Sequence, residues 1–173
     1  MTVNPSLWTR MEIASRRMTP VMLTVLASLL TVIPARIPAL QPVVPLWPMM
    51  MVFHWSLYRP DLMPVTAVLL IGLLHDALIG APIGLNALVF VMIHGAVNSQ
   101  RRFFTRKPFG IIWLGFAVVS AAGLAAAWLL GSLWNRHVLS PDALIFQYLL
   151  TLGCFALVFR LMLGWQRVVL GQT

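Results

Sequence analysis

Charged residues are scarce in this sequence, and acidic ones are rarest. The 173 residues include four Asp and Glu against twelve Lys and Arg, and charged residues make up 9% of the chain, against about 25% in an average soluble protein. Hydrophobic residues make up 60%. So few charges cannot cover a soluble domain of this length, so lipid is the expected solvent for most of the chain. The basic excess is better explained by membrane topology than by nucleic-acid binding, because Lys and Arg collect in cytoplasmic loops.

The residue patterns of common catalytic and cofactor sites are also missing. The single cysteine, Cys154, excludes an intrachain disulfide and a cysteine-based metal cluster. The chain contains no Gly-x-Ser-x-Gly motif, no phosphate-binding glycine-rich loop and no His-x-x-x-His pair. We therefore expect no enzymatic activity, no metal and no cofactor.

Six apolar segments, separated by polar or proline-containing stretches, predict six membrane-spanning helices. Their approximate ranges are 21–33, 45–58, 62–80, 85–99, 109–134 and 142–163. We divide the chain into a basic interfacial segment at residues 1–18, a six-span domain at 19–163 and a cytoplasmic tail at 164–173. Thr19 and Pro20 are predicted to begin the first helix, as an N-cap and a first-turn proline.

Positive charge is distributed unevenly over the loops of this arrangement. If the N-terminus is cytoplasmic, ten of the twelve Lys and Arg fall in cytoplasmic segments, and only Arg36 and Arg136 fall outside. This bias predicts a multi-pass protein with both termini in the cytoplasm. A basic segment before a short apolar run also fits a signal peptide, so cleavage after Ala35 stays open as an alternative.

Asp76 is the only acidic residue inside a predicted span. A carboxylate in the hydrocarbon region costs roughly 2.5–3.5 kcal/mol, so it usually faces protein or water. Gly72, Asp76 and Gly80 recur every four residues and share one helix face, which suits close packing against another helix. Asn86, just beyond the turn at 80–84, is the expected partner of Asp76. Asp76 belongs either to a ligand or partner site or, as we favour, to the structure of the turn.

Small residues recur along the fifth span, from Gly115 to Gly131. Such residues let helices approach closely in lipid. We expect span five, or the short first span, to form a lipid-facing groove that receives the transmembrane helix of a partner.

A pattern of prolines, aromatics and glycines runs from Pro48 into the fourth span. Span two opens with a proline and ends in Trp55-Ser-Leu-Tyr58-Arg59-Pro60, and the next span carries Gly72-x-x-x-Asp76-x-x-x-Gly80-x-Pro82-x-Gly84-x-Asn86. This stretch resembles the MreD family of bacterial rod shape-determining membrane proteins. The chain length, the six-span layout and the basic loop after span four fit the family as well.

The resemblance implies an all-α integral membrane protein of about six transmembrane helices, a compact bundle similar to the substrate-binding subunits of energy-coupling-factor transporters. It implies a non-enzymatic scaffold of the cell-wall elongation complex in the bacterial cytoplasmic (inner) membrane. An MreC-like single-span protein is the implied direct partner, with MreB, RodA and a class B transpeptidase as indirect ones. The motif residues carried over as partner-binding or structural are Gly72, Asp76, Gly80, Pro82, Gly84 and Asn86.

A transporter subunit remains the alternative function. A substrate-binding membrane subunit of a vitamin-type transporter has a six-span body of the same size, so the fold alone does not decide. Such a site needs several convergent polar groups and aromatics near the outer face. In this sequence Asp76, Asn86 and Trp47 are the residues available for it.

Overall fold

The computed structural model describes residues 7–32, 44–104, 107–137 and 141–169, with side chains described from Met18 to Trp165 within these ranges. All regular elements in the described ranges are helical, so the all-α prediction is confirmed. The α-helices are α1 Leu7–Val32, α2 Trp47–Tyr58, α3 Val65–Ile79, α4 Leu85–Phe104, α5 Phe109–Asn135 and α6 Asp142–Val169, with a short 3₁₀ turn at Pro60–Leu62.

Two of these helices are long and apolar enough to cross a membrane. They are Phe109–Asn135 and Asp142–Trp165. The apolar part of α1, Met18–Val32, and helix α3 are shorter. At 1.5 Å per residue, these two shorter segments reach about 22 Å each, less than the hydrocarbon core of about 30 Å.

Helix α2 forms the centre of the bundle. Its residues from Pro48 to Leu57 are all buried, and it packs against α1, α4 and α6. A helix that is apolar on every side has no solvent face and is stable only when surrounded. Its Phe53 ring meets the rings of Phe116 and Phe155 edge-on at 5.2 and 5.7 Å, which joins α2 to both long helices.

The predicted helix start at Thr19 and Pro20 is wrong. Helix α1 runs without interruption from Leu7 to Val32, with Pro20 in its interior. A proline removes one backbone donor and crowds the preceding turn, but packing of the following turns against α2 and α3 compensates for this cost. The boundary between residues 18 and 19 is therefore not a helix boundary. Ala35, the cleavage alternative, lies outside the described residues.

Helix α4 also extends beyond its predicted end at residue 99. It continues through the basic run as far as Phe104. Phe104 is buried, and a Cβ built on Gly115 would lie 2.5 Å from its ring. The sequence pattern suggested a loop because the run is polar, but Phe104 keeps the last turn of α4 against α5.

Candidate functional site

The predicted motif residues gather where α3 ends and α4 begins, a segment we call the α3–α4 corner, residues 76–87. Helix α3 ends at Ile79, and Gly80 follows with φ +68° as its left-handed cap. Gly84, immediately before α4, has φ +99°. Side chains with a Cβ are disfavoured at both angles. Pro82 lies between them, and its carbonyl accepts a hydrogen bond from the Leu85 amide at 3.1 Å.

Gly80 does not serve the close helix packing that its spacing from Gly72 indicated. A Cβ built on Gly80 would meet nothing within 4 Å, because the residue lies in the turn beyond the last residue of α3. The close approach is at Gly72 instead. A Cβ there would lie 2.3 Å from the Cα of Ala87. Gly72 therefore lets the backbones of α3 and α4 touch, and Gly80 permits the turn between them.

Asp76 is fully buried and faces the first turn of α4. Its Oδ2 accepts hydrogen bonds from the backbone amides of Gly84 at 2.9 Å and Ala87 at 3.4 Å. Its Oδ1 accepts one from the backbone amide of Asn86 at 3.0 Å and one from the Asn86 side-chain amide at 2.8 Å. The hydrogen bond between Asn86 and Asp76 expected from the sequence is present.

The Asp76 carboxylate of α3 caps the N-terminus of the neighbouring helix α4. The first amides of an α-helix have no partner within the helix, and a side-chain oxygen usually satisfies one of them. Here the amides of Gly84, Asn86 and Ala87 all point to Asp76. Negative charge at a helix N-terminus is also favoured by the helix dipole. Asp76 thus fixes the direction in which α4 leaves the corner.

All four hydrogen bonds to Asp76 use its oxygens as acceptors, which is the role of an ionised carboxylate. Each oxygen already accepts two hydrogen bonds. The contact between Asp76 and Asn86 was expected from the sequence, but the bonds from the backbone amides of Gly84 and Ala87 were not. The signal that was available is their position, since they flank the first residues of a helix that begins directly after a turn.

A second buried polar contact joins α2 to α4, and the sequence analysis missed it. The Ser56 hydroxyl donates to the Val52 carbonyl at 2.6 Å. The same oxygen lies 2.7 Å from Nδ1 of His94. If the hydroxyl proton is used on Val52, Nδ1–H of His94 donates to Ser56, and in the other tautomer the hydroxyl donates to Nδ1. A serine and a histidine in facing apolar helices were the only available signal.

His75 and Asp76 do not form a pair that could transfer protons. The Asp76 oxygens are bonded to α4, whereas the His75 ring packs beside Phe90 at a centroid distance of 5.6 Å. Within the described ranges, no three His, Cys, Asp or Glu side chains lie close enough to hold a metal ion.

The described helices form an all-helical bundle, and two of them are long and apolar enough to cross a membrane. The family model for the rod shape-determining protein MreD matches residues 11–165, and the chain belongs to this family. The resemblance read from the motif is thereby confirmed. Members are multi-pass, non-enzymatic membrane proteins with a role in rod shape determination. No curated protein and no solved structure matches the chain, so similarity to energy-coupling-factor subunits stays a prediction.

Proposed function

We propose that the chain is a six-span scaffold of the rod complex, with both termini in the cytoplasm, that binds the transmembrane helix of an MreC-like protein. The observation that carries the proposal is that the Asp76 carboxylate is fully used in hydrogen bonds that hold the fold together. Asp76, the only acid in the interior of a predicted span, uses both oxygens to hold α4 against α3. The α3–α4 corner is therefore tied together by hydrogen bonds, as the support of a binding surface requires.

The distribution of charge supports the proposed orientation. The turns at the α2–α3 and α4–α5 ends of the bundle carry Arg59, Arg101, Arg102 and Lys107. The opposite turns, at 80–84 and 136–141, carry Arg136 as their one Lys or Arg among the described residues. Basic residues near the ends of spans favour the cytoplasmic side, so the first end is assigned to the cytoplasm and the α3–α4 corner to the outside.

An apolar groove between α4 and α5 is the proposed seat of the partner helix. It encloses about 170 Å³, and Met92, Ala96, Val118 and Ala122 are among the residues that line it. Ala96 and Ala122 are exposed, so their small side chains leave space at the surface of the bundle. Small residues at such a place let a second helix approach closely in lipid.

Gly123, the centre of the small-residue run, lies at the bottom of this groove and is itself buried. A Cβ built on it would lie 2.9 Å from Cδ1 of Ile93 and 3.2 Å from Cγ1 of Val89. Gly123 therefore serves the packing of α5 on α4. A bulky residue there would disturb the bundle itself, so loss of the partner in such a variant would not locate the binding groove.

The short first span offers a second seat for the same partner. A groove of about 510 Å³ runs along α1, where Met22, Leu26 and Leu29 face outward beside Trp165 of α6. Their spacing of three and four residues places them on one face of α1. The two grooves are separate surfaces and can be blocked separately.

The transporter alternative gains no support from the described geometry. Asp76 and Asn86 bond to each other and to backbone amides rather than facing a cavity. A vitamin site would need convergent polar groups lining a pocket, whereas the α4–α5 groove is lined by apolar side chains.

The test is co-purification of the MreC-like protein with variants that fill one groove at a time. Ala96→Leu with Ala122→Leu fills the α4–α5 groove, and Met22→Trp with Leu26→Trp fills the α1 groove. Ala125→Leu is the matched control, because it makes the same change on α5 but faces the separate groove against α6. We expect the first double variant to lose the partner and the other two proteins to retain it. Loss only in the α1 variant would move the site to α1, and retention in every variant at normal protein level would refute binding by these grooves.

A further inference from the structure

A large groove lies beside the α3–α4 corner, where the last turns of α5 face the first turn of α4. It encloses about 530 Å³, within the range of roughly 300–1,000 Å³ typical of ligand sites. Its walls include Leu85 and Leu88 of α4 and Leu130 and Leu133 of α5, and Trp134 and Arg136 complete it at the end of α5.

Arg136 is the one charged residue that lines this groove. It follows the last residue of α5 with φ 54°, and its backbone amide donates to the Leu133 carbonyl at 3.3 Å. Among the acids with described side chains, Asp76 is committed to α4 and Asp61 lies in the 3₁₀ turn at the opposite end. Asp142, at the start of α6, makes no ion pair with Arg136. The guanidinium therefore has no internal counter-charge in the described part of the chain.

The C-terminal end of a helix carries a partial negative charge, which favours a nearby cation and disfavours an anion. The end of α5 thus stabilises Arg136 and does not itself attract anions. The nearby amides at the start of α4 are already bonded to Asp76. Any anion at this groove would depend on the guanidinium, which binds phosphate oxygens with two parallel hydrogen bonds.

The groove has a charged and aromatic end followed by an apolar stretch, which corresponds to the headgroup and acyl chain of a lipid. Trp134 is 72% exposed beside Arg136, and exposed tryptophans at helix ends lie at the level of the lipid headgroups. The leucines extend from there along α4 and α5 towards the hydrocarbon region. We propose that this groove binds one anionic phospholipid, with its phosphate on Arg136 and an acyl chain along the leucines. A net negative headgroup is specified because one guanidinium is present without a neighbouring carboxylate.

The test is lipid binding by the full chain in detergent, measured by native mass spectrometry with phosphatidylglycerol and, separately, with phosphatidylcholine. We expect phosphatidylglycerol to bind more tightly, and Arg136→Gln to weaken its binding by about fivefold. Leu88→Trp, which fills the apolar part from an exposed position, should reduce binding of both lipids. Arg102→Gln is the matched control, since it removes an exposed arginine at the other end of the bundle, and it should leave the site unchanged.

Two results would overturn the proposal. The first concerns lipid binding: unchanged phosphatidylglycerol binding in Arg136→Gln, or an equal loss in Arg102→Gln, would show that no site depends specifically on the Arg136 guanidinium. The second comes from an experiment in cells. A photo-crosslinking residue at position 88 should capture phospholipid. Capture of a polypeptide there in place of lipid would make the groove a protein interface. Size-exclusion profiles like that of the unmodified protein confirm that each variant is folded.

Discussion

Asn86 donates two hydrogen bonds to the same oxygen of Asp76, one from its backbone amide at 3.0 Å and one from its side chain at 2.8 Å. The second oxygen of Asp76 receives the amides of Gly84 and Ala87. A single carboxylate on α3 therefore holds residues 84–87, the beginning of α4, through four hydrogen bonds. The variants that test the corner remove its acceptor oxygens one or both at a time.

Replacing Asp76 with Asn should be damaging. From the sequence alone the change looks mild, because an amide keeps one acceptor. In the structure both oxygens are needed, and the new NH₂ group would face amide donors. An unsatisfied buried donor costs about 1–3 kcal/mol, so we expect lower protein level and lower thermal stability in detergent. Asp76→Leu, which removes every acceptor, should be worse.

The control for this prediction is Asp61→Asn, the same chemical change at an exposed residue of the 3₁₀ turn. Protein level and cell shape are scored together in a complemented deletion strain. Normal level and normal shape in Asp76→Asn would show that the hydrogen bonds are dispensable. Normal level with lost shape would show that the charge itself acts in function, and the structural interpretation would be wrong.

Gly72→Ala should separate α3 from α4. Its Cβ would lie 2.3 Å from the Cα of Ala87, and backbone cannot move aside as a flexible side chain does. We expect a loss of thermal stability of about 1–3 kcal/mol, the usual cost of overpacking. Gly95→Ala is the matched control, because it lies within α4 with nothing near its Cβ position and alanine is the better helix former. If Gly72→Ala is as stable as Gly95→Ala, the close contact between the helices is not required.

The sequence predicted the general architecture well because hydrophobic periodicity and charge are local signals. The α3–α4 corner could also be predicted from the sequence, since the glycines, Asp76 and Asn86 lie within fifteen residues of one another. The continuation of α1 through Pro20 could not be predicted from the sequence, because it depends on packing against α2 and α3, which outweighs the local helix-breaking signal. The separate purposes of Gly72 and Gly80 likewise depend on where α3 ends, which spacing alone does not reveal.

Reporter fusions test the proposed topology. Fusions after Phe104 and at the C-terminus should report the cytoplasm, and a fusion at Pro82 should report the outside. The reason is that basic residues cluster at the end of the bundle with the α2–α3 and α4–α5 turns. The matched comparison is the pair at Pro82 and Phe104, which differ by one helix, α4. A Phe104 fusion that reports the outside would refute the six-span arrangement with cytoplasmic termini.

Ser56→Ala should weaken the contact between α2 and α4. The change leaves Nδ1 of His94 without its side-chain partner in the core, and an unsatisfied buried polar group costs about 1–3 kcal/mol. Ser120→Ala is the matched control, because that buried hydroxyl bonds only to carbonyls of its own helix, Phe116 at 2.6 Å and Ala117 at 3.2 Å. Its loss strands no donor on another helix, so we expect a smaller effect on the thermal midpoint in detergent.

A double-mutant cycle separates this hydrogen bond from general packing. Combining Ser56→Ala with His94→Leu removes both polar groups, and replacing both partners by apolar groups is often nearly neutral. We therefore expect the double variant to be more stable than the sum of the two single changes predicts, with a coupling of about 0.5–3 kcal/mol. Strict additivity would contradict a stabilising hydrogen bond between Ser56 and His94.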